Sequence, residues 1–149
     1  MIFGRKYWLG LALCLALQGL GQVRADLVVL HTNDVHCGVE NQLGYAQLAQ
    51  YKKDLMKNPD DTVQLVDAGD AIQGEPLGSL TRGQAVIDIM NVAGYDFAIP
   101  GNHEFDYGMA RAKEVMAEAD FPYLSSNWVN LPLGNRVLPD VKYFTIGGR

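Results

Sequence analysis

The stretch Gly101-Asn102-His103-Glu104-Phe105-Asp106 decides how this chain is interpreted, because it follows directly on a short apolar run. Two earlier segments are built in the same way. An apolar run over 27–30 is followed by Asp34-Val35-His36, and another over 63–66 is followed by Asp67 and then Gly69-Asp70. In each case a segment rich in β-branched residues, typical of a strand, ends in side chains that can bind a metal ion.

The three polar segments are expected to lie together in the folded protein. Parallel strands of an open α/β sheet bring their carboxyl ends to one edge, and ligands bind at that edge. Three consecutive strands that end in carboxylate, amide and imidazole groups therefore predict a single metal site. The mixed oxygen and nitrogen donor set suits Zn²⁺, Mn²⁺ or Fe better than Ca²⁺ or a thiolate site.

The wider pattern of the chain predicts alternating strands and helices. Apolar periodicity and helix-stopping residues predict strands over 26–32, 62–67, 95–99, 123–125 and 142–146, and helices over 43–56, 84–93 and 109–119. Residues 71–80, which contain glycine and proline, are predicted to form a loop. Such βα units argue for an α/β fold with a sheet flanked by helices.

The predicted helix over 84–93 carries the most detailed expectations. Thr81 is predicted to cap its amino end and Gly94 its carboxyl end. Ala85, Ile89 and Val92 are predicted to form its buried stripe.

Residues 1–25 have the organisation of a secretory signal peptide. Arg5 and Lys6 precede an apolar run over 8–17, and the segment ends at Ala25 with small residues where a signal peptidase cuts. A membrane anchor is the alternative, but the run falls short of the ~20 residues that span a bilayer. Lipidation at Cys14 is a third interpretation, which the bulky Leu13 disfavours. We therefore expect export, with residues 26–149 forming the remaining domain.

The charge of the chain restricts its partners. The 149 residues carry a formal net charge of −5, and removal of residues 1–25 leaves nine basic residues against 17 acidic ones, a net charge of −8. So acidic a chain is a poor electrostatic partner for nucleic acid or an anionic membrane. A phosphorylated small molecule would also be repelled unless bound cations reversed the local field.

Cys37 is the single cysteine of residues 26–149, so this portion forms no internal disulfide. Its position next to His36 raises the alternative of a thiolate ligand. If the segment is extended, however, Asp34 and His36 share one face and Cys37 points to the other. We therefore expect Cys37 to behave as a small buried hydrophobic residue.

With these motifs, the chain resembles the amino-terminal part of calcineurin-like metallophosphoesterases of the 5'-nucleotidase and UDP-sugar hydrolase family. The extended matches are His31 to His36, Asp67 to Asp70 followed by Gln73-Gly74, and the segment 101–106. The resemblance covers the chain from about Leu27 to its end. It implies the amino-terminal part of an α/β sandwich built of βαβ units, incomplete at its carboxyl end.

The resemblance also implies which residues bind two divalent metal ions. Asp34 and His36 match ligands of the first metal, Asp70 matches the bridging aspartate, and Asn102 matches a ligand of the second. The metal pair would be Zn, Mn or Fe. Further histidine ligands in the family come from later strands, so we expect residues 1–149 alone to bind metal weakly and to show little activity.

His103 and Asp106 match the catalytic pair of the family. The histidine faces the substrate phosphate, and the aspartate three residues on orients it. Asp106 could instead, or in addition, cap the following helix. Asp67 and Glu104 are expected to be structural hydrogen-bonding groups, and His31 to pack or to support the ligands.

The implied function is hydrolysis of 5'-nucleotides or nucleotide sugars by a water activated by two metals, in a secreted or periplasmic protein. The expected partner is a small nucleotide substrate, with no nucleic acid and no stable membrane anchor. Two alternatives stay open on the same scaffold, a 2',3'-cyclic phosphodiesterase and a thiosulfate-ester hydrolase. A third is a truncated product that keeps metal ligands without catalysis.

Cleavage after Ala25 is the first testable expectation. The exported protein should begin at Asp26, because the charged, apolar and small-residue regions occur in the order that signal peptidases require. Intact-mass measurement of the exported protein checks this. A mass that still includes Met1 to Ala25 would contradict it.

Overall fold

A computed structural model describes residues 26–40 and 43–146. The strands are β1 (Leu27–Thr32), β2 (Thr62–Asp67) and β3 (Phe97–Ala98), and the α-helices are α1 (Tyr45–Leu55), α2 (Pro76–Thr81), α3 (Gln84–Ala93) and α4 (Met109–Ala117). A 3₁₀-helix over His103–Phe105 lies between β3 and α4. The predicted signal peptide over 1–25 lies outside the described residues.

The three strands form one parallel sheet in the order β1-β2-β3. Thr32 pairs with Asp67, and Asp67 pairs with Ala98. The carboxyl ends of the strands therefore lie on one line across the sheet. The loops that follow them begin side by side, as the α/β prediction required.

The core lies between the sheet and the helices. In β2 buried and half-buried residues alternate, as the two-residue period of a strand requires, and Val63, Leu65 and Asp67 are buried. Leu65 contacts a buried cluster to which the helices and the segment after α4 contribute. The fully enclosed side chains of this core include Ile72, Val86, Ile87, Met90 and Val115.

A buried ion pair links α1 to the turn before β3. Lys52 is 9% exposed, and its Nζ donates to the carbonyl of Gly94 and, at 2.7 Å, to Oδ2 of Asp96. The same carboxylate oxygen accepts the backbone N–H of Leu65 at 2.7 Å. Because each charged group has hydrogen-bonding partners, its loss of hydration is offset.

Helix α3 has the predicted bounds but a different buried face. Gly94 ends it with φ of 78°, in the left-handed region that favours glycine, as predicted. The buried residues are Val86, Ile87, Met90 and Ala93, whereas the predicted stripe is wrong, since Val92 is 86% exposed. Relative to the predicted orientation, the buried face of the helix is rotated about the helix axis by roughly 100°, the angle between neighbouring residues at 3.6 residues per turn.

Thr81 does not cap α3 as predicted. The cap position belongs to Gly83, and Thr81 is the last residue of α2. Its hydroxyl donates to the carbonyl of Leu77 at 2.7 Å and accepts the N–H of Ala85 at 3.3 Å. Thr81 therefore links the two helices.

Three other predictions of secondary structure are wrong. Part of the predicted loop over 71–80 is helical. Pro76 is compatible with this helix, because it lies in the first turn, where a missing N–H costs nothing. The strand predicted over 123–125 is a single parallel bridge between Ala98 and Tyr123. Residues 142–146 form no strand, since strand-forming side chains do not suffice without a paired backbone. Among the described residues, no helix is long and apolar enough to cross a membrane.

The two faces of α3 give a matched test of the core. The Ile87→Ala substitution should lower the free energy of unfolding by about 2–5 kcal/mol, because it opens a cavity at a fully buried site. Val92→Ala, on the exposed face of the same helix, should change it by no more than about 0.5 kcal/mol. Urea denaturation measures both. Equal losses would show that α3 packs through another face.

Candidate metal centre

The loops after β1 and β2 continue the pairing of the strands beyond the sheet. The backbone N–H of Asp34 donates to the carbonyl of Gly69 at 3.0 Å, and that of His36 to the carbonyl of Asp70 at 3.0 Å. The N–H of Cys37 donates to the carbonyl of Ala71 at 2.9 Å. These three bonds fix the first polar segment against the second.

The backbone of both loops is left-handed at several positions. φ is 51° at Asp34, 48° at His36, 64° at Cys37 and 60° at Asp70. Such a conformation costs a non-glycine residue roughly 1–2 kcal/mol, and residues of this kind cluster at functional sites. The expectation of an extended segment over 34–37 is therefore wrong, and the alternation of side chains that it implied does not apply.

Three of the polar side chains converge at the carboxyl edge of the sheet. Candidate ligand atoms of His36, Asp70 and His103 all lie within 4.8 Å of one another. The two imidazole rings meet nearly edge to face, with centroids 5.1 Å apart and planes at 72°. One residue comes from the segment after each of the three strands.

The tautomer of His36 follows from its contact with Gln73. Nδ1 lies 3.0 Å from the backbone carbonyl oxygen of Gln73. A carbonyl only accepts hydrogen bonds, so in the neutral ring Nδ1 carries the proton and Nε2 keeps its lone pair. Metal-binding histidines are commonly oriented in this way. Sequence reasoning missed this partner, because every residue has a backbone carbonyl and the side chain of Gln73 gives no signal.

His103 is held by two acidic residues. Its backbone N–H donates to Oδ1 of Asp70 at 2.8 Å, and its ring Nδ1 lies 2.7 Å from Oδ2 of Asp106. The hydrogen bond to the Asp106 carboxylate raises the pKa of His103 above its ordinary value of 6.5. The bond leaves Nε2 of the imidazolium free as a second donor.

The carboxylate of Asp70 fits between two loops only because Gly101 has no side chain. A Cβ at Gly101 would lie 2.2 Å from Oδ1 of Asp70. A Cβ at Gly69, where φ is 103°, would lie 2.5 Å from the nitrogen of Gly101. The two glycines of the sequence motifs therefore permit the close approach of the second and third loops.

Asp67 and Glu104 are buried hydrogen-bonding groups, as expected. Burial is the main cause that raises the pKa of Asp67 to about 6. Its carboxylate accepts the hydroxyl of Thr32 at 2.6 Å and the N–H of Gly69 at 2.8 Å, and the hydroxyl of Tyr95 lies 2.8 Å from that of Thr32. Since Thr32 donates to Asp67, Tyr95 donates to Thr32.

Cys37 is buried, as expected, and 1% exposed. Burial raises the pKa of its thiol to about 11. The Sγ–H donates to the carbonyl of Ala71 at 3.5 Å. A thiol with so high a pKa behaves as a small hydrophobic group.

Two of the predicted ligands lie at the edge of this arrangement. The carboxylate of Asp34 accepts the side-chain N–H of Asn33 at 2.7 Å, and Asp34 lines a cavity of about 360 Å³ together with Thr32 and Tyr45. Asp34 is therefore outside the group formed by His36, Asp70 and His103. Asn102 is exposed and directly precedes His103. The ligand roles of Asp34 and Asn102 stay predictions.

The residues present fit a divalent cation of the transition series. The imidazole of His36 and the carboxylate of Asp70 are donors that Zn²⁺, Mn²⁺ and Fe accept, and the imidazole of His103 lies beside them. Both imidazoles have a partner on Nδ1, a carbonyl for His36 and a carboxylate for His103. Such partners orient metal-site histidines and are part of what tunes them.

Comparison with known proteins agrees with this geometry. Residues 27–149 match the family described as calcineurin-like phosphoesterase. The snake venom 5'-nucleotidase of Gloydius brevicauda is 39% identical over 116 residues, which cover 68% of this chain. The 2',3'-cyclic-nucleotide 2'-phosphodiesterase/3'-nucleotidase of Yersinia enterocolitica is 33% identical over 127 residues, or 73% of the chain.

A solved structure of similar fold is the calcineurin-like phosphoesterase YfkN from Bacillus subtilis. It superposes with a TM-score of 0.64 and 30% sequence identity, over 76% of this chain and 40% of that one. The chain spans about a fifth of the length of the two curated relatives, 20% and 19%. The family match therefore spans the three polar segments of the candidate site, while the similarity covers a minor part of each relative.

The His103–Asp106 pair predicts a pH dependence. In metal-free protein, Asp106→Asn should lower the pKa of His103, because the bond to the carboxylate is the main cause that raises it. The pair stabilises the fold below pH 6.5, and this contribution is lost as the pH rises through the raised pKa of His103. An NMR titration of the imidazole measures the shift.

The matched control for this titration is Asp88→Asn, an exposed carboxylate on α3 that bonds Gln84. It should leave the titration of His103 unchanged. An unchanged pKa of His103 in the Asp106 variant would show that the two side chains do not interact in solution.

Proposed function

Because this chain belongs to the calcineurin-like phosphoesterase family and to its 5'-nucleotidase branch, we propose that it hydrolyses phosphoesters of 5'-nucleotides or nucleotide sugars with two divalent metal ions. The observation that carries the proposal is the convergence of His36, Asp70 and His103 at one edge of the sheet. Each of them stands in a motif that follows a different strand.

The residues proposed to hold the metals are His36 and Asp70, completed by Asp34 and Asn102. Bound cations would lower the pKa of a water and offset the charge on the phosphoryl oxygens. Asp70 suits a shared position, because its Oδ1 is already fixed by the N–H of His103 and the space left by Gly101. His36 offers Nε2, since Gln73 occupies its other nitrogen.

His103 is proposed to donate a hydrogen bond to the phosphoryl group. Asp106 holds Nδ1 and favours the imidazolium, which leaves the proton on Nε2 directed away from the pair. A donor placed in this way stabilises charge that grows on the phosphoryl oxygens in the transition state. Asp106 acts through His103 and is a positioning residue.

The acidic composition of the chain supports a cation-dependent mode of binding. Residues 26–149 carry a net charge of −8, and Asp67, Asp70 and Glu104 are all buried near the site. A phosphate would be repelled by this arrangement. Bound divalent cations would reverse the local field.

A second candidate is hydrolysis of 2',3'-cyclic nucleotides. The observation that favours it is the 33% identity to the phosphodiesterase/3'-nucleotidase of Yersinia enterocolitica over 73% of the chain. Both activities use the same proposed metals and the same histidine. Kinetics with AMP and with 2',3'-cyclic AMP separate them.

Export of the protein is also proposed, from the signal-like organisation of residues 1–25. These residues lie outside the described part of the structure, so the proposal depends on the sequence alone. An oxidising destination is compatible with the buried thiol of Cys37, whose raised pKa makes it a poor nucleophile.

Separate roles for Asp70 and His103 in the full-length parent enzyme are the central prediction, since residues 1–149 alone are expected to bind metal weakly. Asp70→Asn should lower metal content and activity together, because the amide cannot replace the shared carboxylate. His103→Ala should keep the metal content and lower kcat by about 10²–10⁴-fold, the usual value of one positioned donor. Asp106→Asn should give a smaller loss of the same kind. Metal analysis beside steady-state kinetics on AMP measures all three.

Asp88→Asn serves as the control, since it removes an exposed carboxylate from α3 and should change neither quantity. If His103→Ala loses as much metal as Asp70→Asn, then His103 is a ligand and the proposed division of roles is wrong. If none of the proteins binds metal, the proposed function itself fails.

A further inference from the structure

Four consecutive backbone N–H groups after β2 donate hydrogen bonds to two buried carboxylates, those of Asp67 and Glu104. Gly69 donates to Oδ1 of Asp67 at 2.8 Å, and Asp70 donates to Oε2 of Glu104 at 2.8 Å. Ala71 and Ile72 donate to Oε1 of Glu104 at 2.8 and 3.4 Å. Successive N–H groups of this kind form a concave site for an anion. Here the protein fills that site with its own side chains.

Glu104 also reaches the third loop. Its Oε2 accepts the N–H of Gly101 at 2.5 Å, so its two oxygens take four backbone donors. The side chain is 1% exposed. An ionised carboxylate in such a place requires several charge-assisted hydrogen bonds, which are about twice as strong as neutral ones. The loop after β2 and the loop after β3 are therefore joined through one carboxylate.

The same bonds determine where the groups of the candidate site lie. Glu104 holds the N–H of Asp70, and Oδ1 of Asp70 in turn holds the N–H of His103. The carbonyl of Asp70 accepts the N–H of His36. A continuous path of hydrogen bonds thus runs from Glu104 to all three members of the converging group.

We propose that Glu104 is a positioning residue that assembles the three metal-binding loops before any metal binds. The proposal rests on the proposed function only in taking His36, Asp70 and His103 as groups of the metal centre. An internal anion fixes the loops, so the cation meets ligands already in place. Metal sites gain affinity when the groups behind the ligands hold them in position.

The first test uses the wild-type chain without metal. Amide hydrogen exchange should show the N–H groups of Asp70, Ala71 and Gly101 protected in the presence of a chelator, because Glu104 and not the metal holds them. Protection that develops only after Zn²⁺ is added would overturn the proposal. This measurement needs no variant and no catalytic activity.

The second test uses Glu104→Gln, which keeps the shape of the side chain and loses one acceptor oxygen. The amide oxygen can serve either Ala71 and Ile72 or Asp70 and Gly101, and the NH₂ group then faces the other pair. Exchange should speed up for one of these two pairs only. The dissociation constant for Mn²⁺, measured by titration calorimetry, should rise by roughly 10–100-fold, as for other groups that support ligands.

Two controls separate positioning from a loss of stability. Val115→Ala removes methyl groups from a fully buried site on α4 and should lower Tm without changing the Mn²⁺ affinity of the folded protein. Glu114→Gln changes an exposed carboxylate on the same helix and should change neither. If Glu104→Gln behaves like Val115→Ala, with reduced Tm and wild-type affinity, the positioning role is overturned.

A failure of the proposed function would give a different experimental result from a failure of the positioning role. A wild-type chain that binds no Mn²⁺ would contradict the metal centre, yet the exchange of the amides without metal would still decide whether Glu104 joins the loops. If Glu104→Gln does not fold, the exchange data on the wild-type chain decide alone, and protected amides support the proposal.

Discussion

The alignment of three parallel strands is the constraint on which the candidate site depends. Thr32, Asp67 and Ala98 pair across the sheet, so the chain leaves all three strands on one line. A register shift of one residue in β2 would turn Asp67 to the opposite face and carry Asp70 away from His36. Alternating burial along β2 stabilises the register, since a slip would expose Val63 and Leu65. The apolar core and the polar edge are therefore fixed by the same pairing.

The buried carboxylates at the carboxyl edge of the sheet are not all stabilised in their charged form to the same extent. Asp67, Asp70 and Glu104 are buried close together, and each accepts hydrogen bonds from hydroxyl or backbone N–H groups. For Asp67 these bonds do not offset burial, because its pKa is raised to about 6. Such an arrangement has a free-energy cost that nearby cations would reduce. The acidity that makes the chain repel phosphate thus also favours a site for divalent metals.

The sequence predicted the α/β class, the bounds of β2 and α3, and the convergence of His36 and Asp70, because strand periodicity and motif position are local signals. It did not predict the buried face of α3, where Val92 is exposed, since tertiary packing chooses between neighbouring stripes. It also treated the segment after β1 as extended. Left-handed conformations at Asp34 and His36 are imposed by bonds to the second loop, and no local pattern encodes them.

The partners of the two histidines favour different roles for them. The Nδ1 atom of His36 is bonded to a neutral carbonyl, so in the neutral tautomer the lone pair is on Nε2, the atom that can bind a cation. His103 is bonded to a carboxylate, which raises its pKa and favours the imidazolium, a form without a free lone pair. The two neighbouring imidazoles therefore present different atoms to the site, a lone pair on Nε2 of His36 and an N–H on Nε2 of His103. A metal ligand beside a proton donor is the arrangement that the proposed hydrolysis of phosphoesters would use.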